Sequence, residues 1–536
     1  MDLGLDFGTT HTVVAHADRG NYPVVAFLDE DGDARDHFPS VVADDGGTLV
    51  YGFAALEAAR RGMPSSRSFK RLLAEPRVTA DTLMLIGERE VPLFGVLTGL
   101  FSAVLEALRT SSSIEGRLDG STRPRAMLGV PAQAGSAQRF LTLEACRHAG
   151  FEVAGLVNEP SAASFEFAHR QARSITSRRD LVIVYDLGGG TFDASLLRLS
   201  GTRHEVLDSF GVNRLGGDDF DEALAEAALQ VAGRSRTELP EASWGALLED
   251  CREAKERIGP QSRRVVVEVP AAGAAASTSA TVPVDEFYAA VTPLVEATTE
   301  AMEPLVQSLG SPDKDGEELQ GVAGIYIVGG ASGLPLVPRM LRSRFGRRVH
   351  RSPMPSASTA VGLAIAADPD GGFSLRDRLS RGFGVFRERE AGAAVSFDPV
   401  LDRSLRTAEA LGETASPEPV VVTRRYQAAH NIGWFRFVEY SSVDDQGEPR
   451  GDIAPVAEIV FPFDPQLQQA VDGSTAGTAA TAGTASGPSL LQDARIVRMD
   501  AGPLLEERYT VDPAGIIELS LTDLTTGYRQ EHVFQV

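Results

Sequence analysis

One glycine-rich stretch constrains the fold of this chain more than any other feature of its sequence. Residues 186–193 read Asp-Leu-Gly-Gly-Gly-Thr-Phe-Asp and lie between two apolar runs. Apolar runs on both sides of a glycine turn are typical of a β-hairpin. Three consecutive glycines cost chain entropy and pack no side chain. We therefore expect Gly188, Gly189 and Gly190 to adopt positive φ and to approach another group closely.

The ends of this turn indicate which group it could approach. Backbone N–H groups in a glycine turn favour an anion, most often phosphate. Asp186 and Asp193 would repel a phosphate unless a cation lay between them, which suggests Mg²⁺. A glycine-rich hairpin without any ligand explains the triple glycine alone equally well.

A shorter version of the same pattern begins the chain. An apolar run leads into residues 6–12, Asp-Phe-Gly-Thr-Thr-His-Thr, and a second apolar run follows them. The two copies are about 180 residues apart. Two copies of one supersecondary unit predict two related lobes that face each other across a ligand.

Composition excludes several classes of protein. A chain of 536 residues predicts two to four domains. Its net charge of −23 argues against a general affinity for nucleic acid or for an anionic membrane. Two cysteines, Cys146 and Cys251, fit a reducing compartment. Neither a signal peptide nor a membrane span is predicted, so we expect a cytoplasmic protein.

Lysine is rare in this chain and therefore informative. Only three of the 51 basic residues are lysines, at positions 70, 255 and 314. A chain that uses arginine almost everywhere can keep lysine where a compact ammonium group is needed. Lys314 lies in a polar segment and is predicted to be solvated, whereas Lys70 and Lys255 are candidate functional residues.

Further candidates lie at turns between elements. Glu159 lies where a strand gives way to a helix, which is the edge of an α/β sheet that binds ligands, although it could equally cap the helix. Gly329 and Gly330 follow an apolar strand and precede a helix, which again suits close approach of a ligand. The lysine and hydroxyl pattern of a P-loop is absent, so a P-loop NTPase is excluded.

The pattern changes after residue 370. We interpret residues 368–381 as a linker and residues 382–536 as a strand-rich β-sandwich. Residues 472–489 repeat Gly, Ala, Thr and Ser and predict a flexible loop. Within the first lobe, residues 38–115 are interpreted as an insertion.

These motifs together resemble the seventy-kilodalton heat-shock chaperones of the actin-like ATPase superfamily. The matching segments, in order, are residues 6–12, 159–163, 186–193, 328–335 and 358–367. The resemblance covers residues 1–370 and, more weakly, 382–536. It implies an α/β fold with two actin-like ATPase lobes, duplicated ribonuclease-H-like units, and then an all-β sandwich. The nucleotide-binding domain would be 1–367, with lobe I at about 1–179 and lobe II at about 180–367.

The resemblance also implies roles for individual residues. The catalytic residues would be Lys70, Glu159, Asp186 and Thr191. The Mg²⁺ ligands, through water, would be Asp6, Asp186 and Asp193. The groups that bind ATP or ADP would be Gly8, Thr9, Thr10, Gly188, Gly189, Gly190, Thr191, Gly216, Gly217, Lys255, Gly329 and Gly330. An additional K⁺ is compatible with such a site.

The chain departs from the family pattern in four places. Gly333 replaces the arginine that stacks on adenine, which implies weaker adenine affinity. Arg252 and Glu256 reverse the charges that flank the family's adenosine lysine. The linker segment 373–379 carries basic residues within its apolar run. We also expect no helical lid after the β-sandwich.

The leading hypothesis is a lidless, chaperone-like protein that slowly hydrolyses ATP. Its nucleotide state would control how the β-domain binds polypeptide clients, with J-domain-like or nucleotide-exchange co-chaperones as further partners. The alternative is a nucleotide-sensing scaffold for one dedicated protein partner. A filament-forming actin relative is disfavoured by the acidic charge and the terminal β-domain, and a sugar kinase by the lack of a sugar pocket.

Overall fold

A computed structural model gives the fold as two α/β lobes followed by two packed β-sheets. It describes residues 1–75, 77–118, 123–270, 277–309, 319, 321–376, 379, 381–389, 394–402, 405, 419–444, 446–469, 496–499, 501–512 and 514–534. The predicted flexible loop 472–489 and Lys314 lie outside the described residues. The predicted fold class is confirmed.

Lobe I contains twelve strands and four helices among its described residues. The strands are β1 (Asp2–Phe7), β2 (His11–His16), β3 (Phe27–Leu28), β4 (Ala34–Arg35), β5 (Phe38–Pro39), β6 (Val41–Asp45), β7 (Thr48–Tyr51), β8 (Ser65–Arg67), β9 (Leu83–Ile86), β10 (Arg89–Pro92), β11 (Arg125–Val130) and β12 (Glu152–Asn158). The helices are α1 (Phe53–Arg60), α2 (Leu93–Thr110), α3 (Ser136–His148) and α4 (Glu159–Arg170).

The main sheet of lobe I has the order β12-β11-β1-β2-β5. β1 runs parallel to β11 and antiparallel to β2, so the first glycine turn closes a central hairpin. Residues 38–115, interpreted as an insertion in lobe I, form two small sheets of their own, β7-β6-β8 and β10-β9, and also contact the rest of the lobe. β5 pairs with β2, and α2 packs in the same hydrophobic core as Leu3 and Leu5 of β1. Apolar periodicity alone did not show which sheet these segments join.

α2 is the one described helix that is long and apolar enough to cross a membrane. Eight of its residues are buried within lobe I. Because the core helix of a soluble domain meets the same length and hydropathy criteria, this helix is explained by its packing.

Lobe II repeats the central arrangement of lobe I. Its strands are β13 (Leu181–Leu187), β14 (Phe192–Ser200), β15 (Arg203–Val212), β16 (Arg264–Val269), β17 (Thr278–Pro283), β18 (Val322–Val328), β19 (Val349–Arg351) and β20 (Ser374–Arg376). Its helices are α5 (Gly217–Val231), α6 (Glu241–Glu256), α7 (Val284–Ala301), α8 (Glu303–Ser308), α9 (Leu336–Phe345) and α10 (Ser358–Ala367). The sheet order is β19-β18-β13-β14-β15-β20, and β13 is again flanked by an antiparallel and a parallel strand.

Helices α4 and α10 bring the two lobes together through backbone contact. A Cβ atom at Gly362 of α10 would lie 1.8 Å from the carbonyl oxygen of Ala162 in α4. A Cβ at Gly4 of β1 would lie 2.2 Å from the carbonyl oxygen of Ala360. Only glycine fits at these two positions, because the opposing atoms belong to backbone that cannot move aside.

The carboxyl-terminal part folds as a sandwich of two antiparallel sheets. Its strands are β21 (Gly382–Arg389), β22 (Ala394–Leu401), β23 (Val420–Gln427), β24 (Ile432–Val443), β25 (Pro449–Pro462), β26 (Leu504–Val511), β27 (Ile517–Asp523) and β28 (Arg529–Val533). The sheet orders are β22-β21-β24-β25 and β23-β26-β27-β28. Phe383, Phe437 and Tyr509 pack between them. The predicted linker is not irregular throughout, because its residues 374–376 form β20 and extend the sheet of lobe II.

Candidate functional site

The two glycine hairpins face each other and are in contact. A Cβ on Gly189 would lie 2.8 Å from Thr10 Cγ2, and one on Gly190 would lie 2.9 Å from Thr9 Oγ1. A Cβ on Gly216 would lie 2.6 Å from the backbone of Gly189. The hairpin of lobe II therefore has no room for a side chain at Gly189 or Gly190.

This packing corrects one expectation about the triple glycine. Among the described glycines with positive φ, none is Gly188, Gly189 or Gly190. Close approach of the opposite hairpin, rather than left-handed backbone, explains why glycine is needed at positions 189 and 190. Gly329 does adopt a φ of 86°, and a Cβ there would lie 2.4 Å from Asp186 Oδ1.

Most of the predicted site residues line a single cleft between the lobes. They are Asp6, Gly8, Thr9, Thr10, Lys70, Glu159, Asp186, Gly188, Gly189, Thr191, Gly217, Lys255, Gly329 and Gly330. Three others do not line it. Gly190 and Gly216 pack against the hairpin that does, and Asp193 is buried opposite Asp186 in the β13–β14 register.

Lys70 and Glu159 form a buried ion pair at the floor of the cleft. Lys70 lies on the 3₁₀ helix Phe69–Ala74, and its Nζ is 2.9 Å from Glu159 Oε1. The same ammonium donates a hydrogen bond to the carbonyl oxygen of Phe7. Burial opposes the charge of Lys70, but Glu159, Asp6 and Asp186 outweigh it and raise the pKa of Lys70 above its usual range. Lys70 is therefore a fixed cation that faces the hairpins.

Three aspartates next to this pair have strongly perturbed acidity. Burial, and then the charge of Glu159, raises the pKa of Asp6 to about 7 and that of Asp193 to about 8. Burial and repulsion by Glu159, Asp6 and Asp193 hold the pKa of Asp186 well above its usual range. A cation bound beside these three carboxylates would favour their ionised form, because an opposite charge stabilises a carboxylate.

The donor chemistry fits hydrated Mg²⁺ better than a directly coordinated metal. Within the part of the chain that the structure describes, no three His, Cys, Asp or Glu residues lie close enough to form a metal cage. Mg²⁺ keeps several of its waters and is commonly held by one or two carboxylates together with phosphate oxygens. Asp6 and Asp186 would hold the ion through water, with Asp193 behind them.

Ion pairs across the cleft are the main feature that sequence reasoning missed. Ser68 Oγ donates to Asp218 Oδ2 at 2.6 Å, and Arg71 Nη2 donates to Asp219 Oδ2 at 3.1 Å. Arg67 also pairs with Glu249. All three contacts join lobe I to lobe II. Arg67 and Glu249 lie on segments without a recognisable motif, whereas the other four residues lie close to the predicted Lys70, Gly216 and Gly217 in the sequence.

Comparison of the sequence with known proteins shows which family the chain belongs to. The profile of the family described as Hsp70 protein matches residues 100–378, which is more than half of the chain. The chain is 32% identical over 412 residues to the chaperone protein HscA of Serratia proteamaculans. It is 33% identical over 384 residues to the chaperone protein HscA homolog of Pseudomonas putida. The chain belongs to the Hsp70 family.

The two alignments cover different shares of each protein. They include 72% and 69% of this chain, but 62% and 57% of the respective relatives. The chain therefore spans less than two thirds of the length of these Hsp70-family chaperones.

The other end of the cleft, which the resemblance assigns to the nucleoside, is built around a second lysine. Lys255 Nζ lies 2.6 Å from Asp221 Oδ1 and donates to the carbonyl oxygen of Gly217 at 2.8 Å. Burial raises the pKa of Asp221 to about 6, against the opposing charges of Lys255 and Arg252. Asp218 and Asp221 are three residues apart on α5 and so share one face, which is a signal that could have identified Asp221 from sequence.

Arg252 and Gly333 are two positions at this end of the cleft where the sequence departs from the family pattern. Arg252 is buried and lies within 3.4 Å of carboxylate oxygens of Asp218, Asp221 and Glu249. The charge of Arg252 on α6 therefore attracts Asp218 and Asp221 and stabilises the packing of α6 against α5. A Cβ on Gly333 would lie 3.7 Å from a guanidinium nitrogen of Arg351, which is an ordinary contact distance. A larger side chain at position 333 could enter without displacing backbone.

The β-sandwich contacts lobe I through one carboxylate and one hairpin. Glu439 of β24 accepts hydrogen bonds from the backbone nitrogen and the Oγ of Ser136, at 3.0 and 2.5 Å, at the beginning of α3. Arg139 donates to the carbonyl oxygen of Ala514 at 3.3 Å. Ile516, in the same hairpin, is part of the hydrophobic core of lobe I. The two domains are therefore docked.

Proposed function

We propose that this chain is an ATP-hydrolysing, chaperone-like protein whose β-sandwich binds polypeptide under nucleotide control. The observation that carries the proposal is the buried Lys70–Glu159 pair, set beside three aspartates where the two hairpins meet. Hydrolysis of ATP requires positioning and charge neutralisation more than covalent chemistry. The HscA names of the relatives support the chaperone assignment.

Each residue has a role in this proposal. The backbone N–H groups and hydroxyls of Thr9, Thr10 and Thr191 bind the phosphates. Lys70 neutralises the terminal phosphate, and Glu159 orients the attacking water. Mg²⁺ supplies further charge neutralisation when bound. The glycines of the hairpins let the backbone approach the phosphates without a Cβ in the way.

The nucleoside of ATP is assigned to the other end of the cleft. Lys255, Gly217, Gly329 and Gly330 line that end and would contact the ribose and base. We propose the boundaries 1–367, 368–381 and 382–536 for the nucleotide-binding domain, the linker and the β-domain. The two buried cysteines fit the cytoplasm as the place of action.

Substitution of the ion pair tests the ATPase. Lys70→Ala and Glu159→Gln should each lower Mg²⁺-dependent ATP turnover by about 10²-fold, because each removes a group that acts on the transition state. Nucleotide binding, measured by calorimetry, should persist in both variants. Glu253→Gln on the exposed face of α6 serves as the control and should leave turnover unchanged. Normal turnover in both ion-pair variants would contradict the assignment.

Nucleotide control can be tested at the docked interface. Glu439 is buried and accepts two hydrogen bonds from Ser136, so Glu439→Ala leaves the first turn of α3 without its carboxylate partner. We expect faster tryptic cleavage in residues 368–381 of this variant, and a smaller difference between the ATP and ADP states than in the unaltered protein. Identical cleavage with ATP, with ADP and without nucleotide would argue against control by nucleotide.

The linker sequence favours a second candidate function, the nucleotide-sensing scaffold. Arg376, the last residue of β20, and Arg378 place positive charge within the apolar linker segment 373–379. Affinity capture with the intact chain separates the two functions. Many unfolded proteins, together with J-domain-like co-chaperones, support the chaperone, whereas one stoichiometric partner supports the scaffold.

A further inference from the structure

A groove rich in arginine lies at the edge of the lobe II sheet opposite the nucleotide cleft. The groove has a volume of about 1010 Å³. We call it the arginine groove, and its basic side chains are Arg173, Arg178, Arg179, Arg344, Arg347 and Arg348. Five of them are exposed, and Arg348 is half-buried. A protein with a net charge of −23 thus concentrates six cations on one surface.

The position of this groove follows from the parallel pairing of β13 and β18. The carboxyl ends of these strands reach the cleft, at Asp186 and Val328. Their amino ends begin at Leu181 and Val322, where the groove lies. Strands of seven residues separate the two sites by roughly 20 Å. No lining residue is shared between the groove and the nucleotide cleft.

The charges of the groove are largely uncompensated. Arg344 pairs with Glu303. Among the described residues, no carboxylate lies within ion-pair distance of Arg173, Arg178, Arg179 or Arg347. Several unpaired guanidinium groups around one cavity repel one another and attract anions. Ser174 and Thr176 add hydroxyl donors to the same wall.

We propose that the arginine groove binds a phosphate polymer. The guanidinium fork matches the oxygen geometry of phosphate, and hydroxyls add neutral hydrogen bonds. Each phosphate offers two oxygens to a guanidinium fork, and a chain of phosphates can contact several of these arginines at once, which raises its affinity above that of a single anion.

Such a ligand would also join the two lobes. Arg173, Arg178 and Arg179 belong to the segment between α4 and β13, where lobe I ends and lobe II begins. Arg344, Arg347 and Arg348 belong to the end of α9 and the 3₁₀ turn after it. A phosphate chain that contacts both sets would therefore restrain the junction from the side opposite the cleft.

Fluorescence anisotropy with labelled linear polyphosphate and labelled oligothymidylate tests this proposal. Without ATP or Mg²⁺, the intact chain should bind at least one of these phosphate chains. Six neutralised phosphates on a flexible chain predict a slope of log K against log salt of about −4. Affinity should then fall on the order of 10²-fold between 50 and 200 mM salt. The probe that binds identifies the source of the phosphate chain.

Matched variants locate the binding. Arg178→Gln with Arg179→Gln should weaken binding about tenfold or more and reduce the slope to about −3. Arg60→Gln with Arg61→Gln changes the net charge equally on the exposed helix α1 and should leave affinity unchanged. Equal affinity in the two double variants would overturn the proposal, as would binding to the nucleotide cleft alone. Polyglutamate that binds as tightly as the phosphate chains would also overturn it. Because no ATP is present, none of these results bears on hydrolysis.

Discussion

The two ends of the nucleotide cleft are built on different principles. At the phosphate end, backbone contacts backbone and a Cβ atom has no room, as at Gly216. At the nucleoside end, charged side chains such as Arg252 hold the helices together, and a Cβ on Gly330 meets nothing within 4 Å. The first end specifies geometry by steric exclusion, whereas the second is closed to a side chain at Gly329 but leaves room for one at Gly330 and Gly333.

Substitution of one glycine at each end of the cleft should give the largest difference in ATP turnover between the two ends. Gly216→Ala would place a Cβ 2.6 Å from the backbone of Gly189 and so displace the hairpin. A shift of about 1 Å at the phosphates should lower ATP turnover about 10²-fold. Gly333→Ala is the matched variant at the other end, where a Cβ would meet only a guanidinium nitrogen of Arg351 at 3.7 Å, so turnover should stay within about twofold. Comparable losses in both variants would show that the two ends do not differ.

Removal of the buried arginine should have the next largest effect, on stability. Arg252→Gln leaves the carboxylates of Asp218, Asp221 and Glu249 without their shared cation. The free energy of unfolding should fall by about 3 kcal/mol, measured by urea denaturation. Arg257→Gln, one turn further along and well exposed, should cost less than about 0.5 kcal/mol. A small effect at Arg252 would mean that the nucleoside end does not depend on buried charge.

The smallest expected effect is on ATP affinity, at the position where the adenine base would bind. Gly333→Arg adds a guanidinium group where the backbone leaves room for it. Stacking of a cation on adenine should tighten ATP binding about fivefold. Inorganic triphosphate lacks the base, so its affinity should not change between the variant and the unaltered protein. Equal tightening of both ligands would instead indicate a general charge effect at the cleft.

The strands, hairpins and most helices could be predicted from sequence because they depend on local periodicity and on glycine turns. The predicted change from strand to helix at Glu159 is confirmed, since β12 ends at Asn158 and α4 begins at Glu159. The pairing of two similar hairpins also predicted that distant segments meet. The strand that pairs with β5 and the core that α2 enters could not be predicted, because both depend on tertiary packing that no local pattern encodes.

Most of the site residues predicted from motifs lie together in one cleft, whereas residues outside the motifs were not selected. Lys70 stood out because lysine is rare in this chain, and its ion pair with Glu159 is present. The roles of both residues in hydrolysis remain predictions. Ser68, Arg71 and Asp219 lie close to predicted residues in the sequence, but their contacts could not be predicted, since these form only when the lobes face each other. The positive φ expected at the triple glycine was wrong because steric contact across the cleft can also require glycine.

Two of the three lysines are buried in the cleft, so the rates at which they react with an added reagent report how often the cleft opens. Lys70 and Lys255 are each 7% exposed and paired with a carboxylate, so an amine-reactive ester can reach them only when the cleft opens. The two lysines lie at opposite ends of the cleft and fall in different proteolytic peptides. Their acylation rates, followed by mass spectrometry, would therefore time the opening of the phosphate end and of the nucleoside end separately, without any engineered label.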